Sequence, residues 1–340
     1  MTDLETTLAA YDSPGTANAQ GGIPPGGAAG PEREFTVRAR TQRQIVVRRF
    51  LHHRLAVVSL VVFVLLIAAA LFGGHLWHYT YRQETPDNSV RPTWWPYFGG
   101  HWHWGQLTHW KHPMGTNELG VDTFAQVLRG AQKSVFIALS VAFLSTVVGT
   151  VLGAISGYYR GFVDTAIMRL TDLFLVFPLV AIAGAVGYRF TASGPNGWVY
   201  LALILGLLSW PQICRVVRGV FLSLREKEFV DAARALGARD RRIIFRHLLP
   251  SVVGPVIVNA TLTVAAAILT ETVLSYVGLG IQPPDTSLGL LIQLGDQAST
   301  DRPWLFYFPG LFIIVICLTV NFIGDGLRDA FDPGQTRVRA

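Results

Sequence analysis

Charge is scarce in this chain. Of its 340 residues, 15% are charged and 51% hydrophobic, whereas a soluble domain carries about 25% charged residues. That shortage excludes an ordinary water-soluble fold. Cysteine is scarcer still. Cys214 and Cys317 each sit in or beside a long apolar run, which argues against a disulfide framework or a cysteine-based zinc site and leaves small apolar fillers. Short alternating apolar–polar segments are missing, so a transmembrane β-barrel is excluded. No Gly-x-x-x-x-Gly-Lys-Ser/Thr stretch occurs, so the chain lacks the loop needed to hydrolyse ATP by itself. No nucleophile–base constellation or metal-ligand cluster emerges either.

What is present is a series of apolar runs of roughly 20 residues, long enough to cross a ~30 Å hydrocarbon core as helices. Spans are predicted at about 55–77, 132–157, 165–187, 198–219, 252–275 and 304–324. The fold class is therefore an all-α integral membrane protein with six transmembrane helices. The first run begins near Leu55, far behind a polar stretch, and is read as a retained span and not as a cleavable signal peptide. Residues 1–37, with GGIPPGGAAGP at 21–31, cannot bury a core and are expected to form a disordered cytoplasmic tail.

Basic residues set the orientation. Arg38, Arg40, Arg43, Arg48, Arg49 and Arg54 crowd the start of the first span and pin that side to the cytoplasm. Of the 28 lysines and arginines, only Arg82, Arg91, Lys111, Arg129, Lys133, Arg189 and Arg302 fall on the other side. Six crossings bring the C-terminal tail, 327–340, back to the cytoplasm. The long external segment 80–131 carries Trp94, Trp95, Trp102, Trp104 and Trp110 with His101, His103, His109 and His112. An interfacial aromatic belt explains this composition better than a metal site, because no cysteine or carboxylate accompanies the histidines. Between Gly278 and Arg302, the Gly- and Pro-rich GLGIQPPDTSLG predicts a re-entrant turn or short surface helix.

One cytoplasmic insert has a pattern of its own. In EFVDAARALGARDRRIIFRHLLP (228–250), Phe229, Ala232, Ala233 and Leu236 follow i, i+3, i+4, i+7 and make one apolar stripe. Gly237 suits the left-handed residue that ends a helix. Arg239, Arg241, Arg242 and Arg246 open the next helix, and Pro250 permits a kink as it enters the membrane. Spacing alone leaves two readings: a short helix fitting a groove on another protein, or a surface helix held by anionic lipid.

Asp231, Ala232 and Ala233, followed by Gly237 and by RHLLP at 246–250, resemble the EAA signature of ABC importer permeases, with Asp231 in place of Glu and His247 in place of Ile. The RHLLP ending is usual in the peptide/nickel branch. The resemblance continues through MGTNELGVD (114–122), GYYRG (157–161), RLTD (169–172), Phe177–Pro178, SLRE (223–226), LSYVGLG (274–280) with Gln282, Pro283 and Pro284, and FIGDGLRD (322–329) with Asp332 and Pro333. Asn117 and Val121 stand where the pattern has Asp and Arg, so no external salt bridge is expected from those residues. Over 114–333 the chain is thus similar to the C-type permease of binding-protein-dependent dipeptide/oligopeptide/nickel importers.

The resemblance implies a type I importer permease fold, a five-helix core at 132–326 plus an N-terminal span at 38–79, with the coupling helix at 226–237. It implies ATPase coupling through Glu228, Phe229, Asp231, Ala232, Ala233, Leu236, Gly237 and Pro250. It also implies a homologous B-type permease, two cytoplasmic ATPase subunits that bind ATP and Mg, an external substrate-binding protein and a peptide cargo, in the lipid of a bacterial plasma membrane. No cofactor is expected in this chain itself, and no nucleic acid. Asp172 and Glu271 lie inside predicted spans, where a charge is costly, so each is expected to line a pathway or to be paired. Arg169 stands i, i+3 from Asp172 and can pair with it. The competing classes are an ion-coupled secondary transporter using Asp172 and Glu271 as a relay, for which no internal repeat is visible, and a membrane enzyme, for which no catalytic set exists. Within the family, nickel or another small solute is the alternative cargo.

Overall fold

The computed structural model describes residues 42–92, 111–191 and 196–331. The expected N-terminal tail and the tryptophan- and histidine-rich stretch from Trp94 to Trp110 lie outside these. Among the described residues every regular element is a helix, and one isolated antiparallel bridge joins Thr116 to Asp122. In chain order they are α1 (Gln42–His52), α2 (Arg54–Leu76), α3 (Thr123–Tyr159), α4 (Gly161–Val176), α5 (Leu179–Thr191), α6 (Gly197–Arg225) and α7 (Glu228–Ala235). There follow α8 (Asp240–Arg242), a π-helical stretch (Ile243–Leu248), α9 (Leu249–Tyr276), α10 (Leu288–Gln297) and α11 (Trp304–Phe331).

Five helices are long and apolar enough to cross a membrane: α2, α3, α6, the continuous run Asp240–Tyr276, and α11. Four of the six expected spans fall on α2, α6, α9 and α11, with α6 and α11 running about two turns beyond the expected ends. The span expected at 132–157 begins earlier, because Asp122 caps the helix and adds turns before Lys133. The span expected at 165–187 is not one straight helix. α4 and α5 meet at a bend of 80°. Pro178 explains the break: its ring disfavours the helical region for the residue before it, and Phe177 is extended at φ −80°, ψ 137°. The Pro178 carbonyl then accepts from the amides of Ala181 and Ile182 and starts α5.

Pro250 does not kink its helix sharply. It falls at the start of α9, directly after the π-helical stretch, where the Leu249 amide reaches back to the Ile244 carbonyl. A wider turn there accommodates the missing proline N–H.

The α3–α6 pair forms the spine of the bundle. Gly149, Gly153 and Gly157 lie one above another on α3, facing α6. A Cβ at Gly153 would stand 2.6 Å from the Cys214 carbonyl oxygen, and one at Gly149 2.8 Å from that of Trp210. Small residues let the two backbones approach this closely, which is how helices gain packing energy where lipid removes the hydrophobic drive. Cys214 is fully buried in this contact, as the filler role requires.

The bundle has two ends. At one, α7 and the starts of α2 and α9 meet the ends of α3, α6 and α11. There Gly254 packs on Phe331, and His53 lies 3.7 Å from Asp329. At the other end α10 packs against α9, α11 and α3. The expected short helix between Gly278 and Arg302 is α10, capped by the Ser287 hydroxyl, which accepts from the Leu290 amide at 3.2 Å. The loop segments 80–92 and 111–122 cross-link there through Thr116 N–H to Val90 O at 2.9 Å and Ser89 N–H to Asn117 O at 2.9 Å.

Candidate functional site

The α7 segment is built from its ends inward. Lys227 is extended and starts the helix, Glu228 and Asp231 place negative charge in the first turn, and Arg234 lies in the last. That order complements the helix dipole. Gly237 adopts φ +76°. Its amide donates to the Arg234 carbonyl at 2.9 Å, and the Ala238 amide to the Ala233 carbonyl at 3.0 Å. These two bonds are the Schellman termination, which requires a left-handed residue at Gly237.

The orientation of α7 differs in one respect from the stripe read off its spacing. Val230 is fully buried in a cluster with Tyr158, Phe221, Ile243 and Leu248, and Ala233 packs on the same cluster. Phe229, Ala232 and Leu236 point away from it, Phe229 being 43% and Leu236 88% exposed. The presented face is therefore Phe229, Ala232 and Leu236 with Glu228 and Asp231 beside them, while Ala233 belongs to the seat. The second stripe, Val230, Ala233 and Gly237 at i, i+3, i+7, carried this information in the sequence. Spacing could not rank it against the first.

Polar contacts fasten the seat to the spans. The Tyr158 hydroxyl donates to Asp240 Oδ1 at 2.5 Å. Arg225 donates to the Tyr158 carbonyl, and the guanidinium carbons of Arg225 and Arg234 lie 5.7 and 6.0 Å from the Tyr158 ring centre. Arg160 pairs with Glu226 at 2.5 Å and holds that carboxyl below its ordinary range. Deeper, Arg218 grips Asp164 through two bonds of 2.5 and 2.7 Å, and Ser156 donates to the same carboxylate at 2.5 Å. The ends of α3 and α6, the start of α4 and the start of α8 are thus tied together around α7. Tyr158, Arg160, Arg225 and Glu226 all lie in GYYRG and SLRE, so their motifs were visible and their mutual contacts were not.

The two intramembrane acids separate. Asp172 pairs with Arg215 at 2.6 Å, across from α4 to α6, instead of with Arg169 one turn away. Glu271 is fully buried on α9, where it accepts from Ser134 at 2.8 Å and from Ser275 at 2.7 Å, with Ser287 3.3 Å from Ser275. It pins α3, α9 and α10 together. The two acids share no partner, so the structure does not bring together the relay of the rival reading. At the α10 end, Asp122 is wholly buried. Its carboxylate accepts from the Phe124 amide at 2.7 Å, Trp77 Nε1 at 2.9 Å and His112 Nδ1 at 3.2 Å. His112 is thereby held on the other oxygen of the carboxylate that caps α3, and among the described residues no group of three or more metal-ligating side chains gathers. Asn117 Oδ1 accepts from the Leu119 and Val121 amides, shaping a turn, and the ion pair in this loop runs instead from Glu118 to Arg302.

Residues 149–337 match the family described as "Binding-protein-dependent transport system inner membrane component", and residues 41–92 match the "N-terminal TM domain of oligopeptide transport permease C". The chain is 43% identical over 299 residues to the oligopeptide transport system permease protein OppC of Mycobacterium tuberculosis, covering 88% of this chain and 97% of that protein. With the OppC of Bacillus subtilis it shares 34% identity over 285 residues, 84% of this chain and 87% of that one. A chain of the MetNI methionine ABC transporter, solved in inward-facing conformations, superposes with a TM-score of 0.49 and 20% identity, covering 61% of this chain and 96% of the other. With a family match across more than half its length, this chain belongs to the binding-protein-dependent transport system inner membrane components, and its N-terminal span is of the oligopeptide permease C type.

Proposed function

We propose that this chain is the second permease subunit of an ATP-driven importer of di- and oligopeptides, working with a homologous permease, two ATPase subunits that bind ATP and Mg, and an external receptor that delivers the peptide. The observation that carries the reading is α7 itself. It is a short helix seated by Val230 on the ends of α3, α6 and α9, presenting Phe229, Ala232 and Leu236 outward. An apolar patch of that size, flanked by Glu228 and Asp231, fits a groove on a partner at the membrane surface. The names borne by the OppC relatives support the peptide cargo.

In this reading the α7 end of the bundle faces the cytoplasm, as the arginine distribution favours. A groove on the ATPase grips α7, and closure of the ATPase pair displaces it. The Tyr158–Asp240 and Arg160–Glu226 contacts pass the displacement to α3 and α8. ATP then biases the membrane helices toward the outward-open state by the difference in its affinity for the two states. Hydrolysis and release restore the inward-open state.

The test is reconstitution of this chain with its second permease, both ATPases and the receptor in proteoliposomes. Peptide accumulation that needs both ATP and receptor is expected. ATP-dependent accumulation of nickel without peptide would replace the cargo, and gradient-driven uptake by the lone chain would overturn the class.

A further inference from the structure

A cavity of about 500 Å³ opens between α3, the α4–α5 break, α6 and α9. Its residues, Val141 on α3, Ser209 and Gln212 on α6 and Asn259 to Thr270 on α9, lie near the middle of their helices. No charged side chain lines it; its polar groups are Ser209, Gln212, Asn259, Thr263 and Thr270. Gln212 is exposed, and among the described residues nothing holds its amide. Asn259 donates through Nδ2 to the Pro255 carbonyl at 2.9 Å, which fixes its amide and leaves Oδ1 as an acceptor. The hydroxyl protons of Thr263 and Thr270 go to the Asn259 and Ala266 carbonyls, so their oxygens also remain acceptors.

The broken helix opens onto the same space. Phe174, Leu175, Phe177 and Leu179 border the cavity on both sides of the 80° bend. The last carbonyls of α4 have no intrahelical partner, while at the start of α5 the Pro178 carbonyl takes up the Ala181 and Ile182 amides. Irregular backbone at membrane depth persists where it lines a watery cavity. The lining therefore combines neutral amides and hydroxyls, open backbone ends and apolar walls. Peptide main chain carries neutral N–H and C=O groups that need replacement partners once water is stripped away, while its side chains vary. A fixed charge would hold one terminus and slow release, whereas passage requires weak, multiple contacts.

We infer that this cavity is a transit subsite for the main chain of the peptide, with Gln212 and Asn259 replacing water on its amide groups; the inference rests on the peptide-importer reading. It is tested in proteoliposomes holding the complete complex, with a neutral tetrapeptide and a tetrapeptide carrying aspartate as probes. Gln212→Leu and Asn259→Leu are each expected to lower maximal uptake of both peptides about fivefold, the scale of one lost hydrogen bond, with receptor-stimulated ATP hydrolysis and KM for the loaded receptor unchanged. Gln212→Glu, at an exposed position, keeps the fold and is expected to slow the aspartate peptide at least fivefold more than the neutral one. Unchanged uptake in both leucine variants, or equal rates for the two peptides in Gln212→Glu, overturns the subsite and leaves the importer standing. An unsubstituted complex that imports neither peptide overturns the importer reading itself.

Discussion

The hydroxyl of Tyr158, at the end of α3, donates to the carboxylate of Asp240, the first residue of α8, across 82 positions of sequence. It joins α3 to the start of the continuous helical run Asp240–Tyr276 that follows α7. Tyr158→Phe keeps the ring in its buried cluster and removes the hydroxyl, with its links to Asp240 and Arg234. A net hydrogen bond to a charged group contributes about 1.5–3 kcal/mol. The expected outcome is an assembled complex that still hydrolyses ATP but moves fewer peptides per ATP, read from uptake and phosphate release in the same vesicles.

Ala232 and Ala233 are neighbours in sequence with opposite surroundings. Ala232 is exposed, so Ala232→Asp is expected to leave the permease itself unchanged to within about 0.5 kcal/mol. It should weaken co-purification of the ATPase subunits. Ala233→Asp would press a carboxylate onto the Val230 cluster and cost roughly 1–3 kcal/mol locally. Limited trypsin digestion should then cut between Arg225 and Arg242 faster in the Ala233 variant than in the Ala232 variant.

Gly237 has open space around its Cβ position, so any penalty there comes from backbone conformation and not from crowding. At φ +76° a β-branched residue costs about 1–3 kcal/mol. Gly237→Val should therefore fray the end of α7 and lower ATPase association, whereas Gly237→Asn should largely preserve it.

On α3 the cause is reversed. Gly153→Val would drive side-chain atoms into the Cys214 carbonyl, whereas Gly219→Ala meets nothing within 4 Å. Membrane expression and thermal stability in detergent should fall in the first and stay unchanged in the second. Equal behaviour of the two would contradict the close α3–α6 approach.

Much of this molecule is legible in its residues. Runs of apolar residues, the arginine-rich flank of the first span and the Gly237 helix end each follow from a local rule, and four predicted spans fall on single helices. What spacing could not show is which of two apolar stripes on α7 is buried. Phe229 and Val230 are both hydrophobic, and only the presence of Tyr158, Phe221, Ile243 and Leu248 beneath one side decides for Val230. The break at Phe177–Pro178 was present as a dipeptide, but a hydropathy sum counts Pro178 as one more residue of a span and so misses its direction.

The sequence by itself determined that this is a helical membrane protein, where its apolar runs lie and the existence of a terminated amphipathic helix between two of them. These depend on composition, length and the conformational limits of glycine and proline, all of which act over a few residues. The tertiary structure alone decided that Asp172 pairs with Arg215 and not Arg169, that Glu271 is held by Ser134 and Ser275, and that Tyr158 and Asp240 meet. Those outcomes depend on how helices far apart in sequence rotate against one another, and that rotation is set by close packing of the whole bundle.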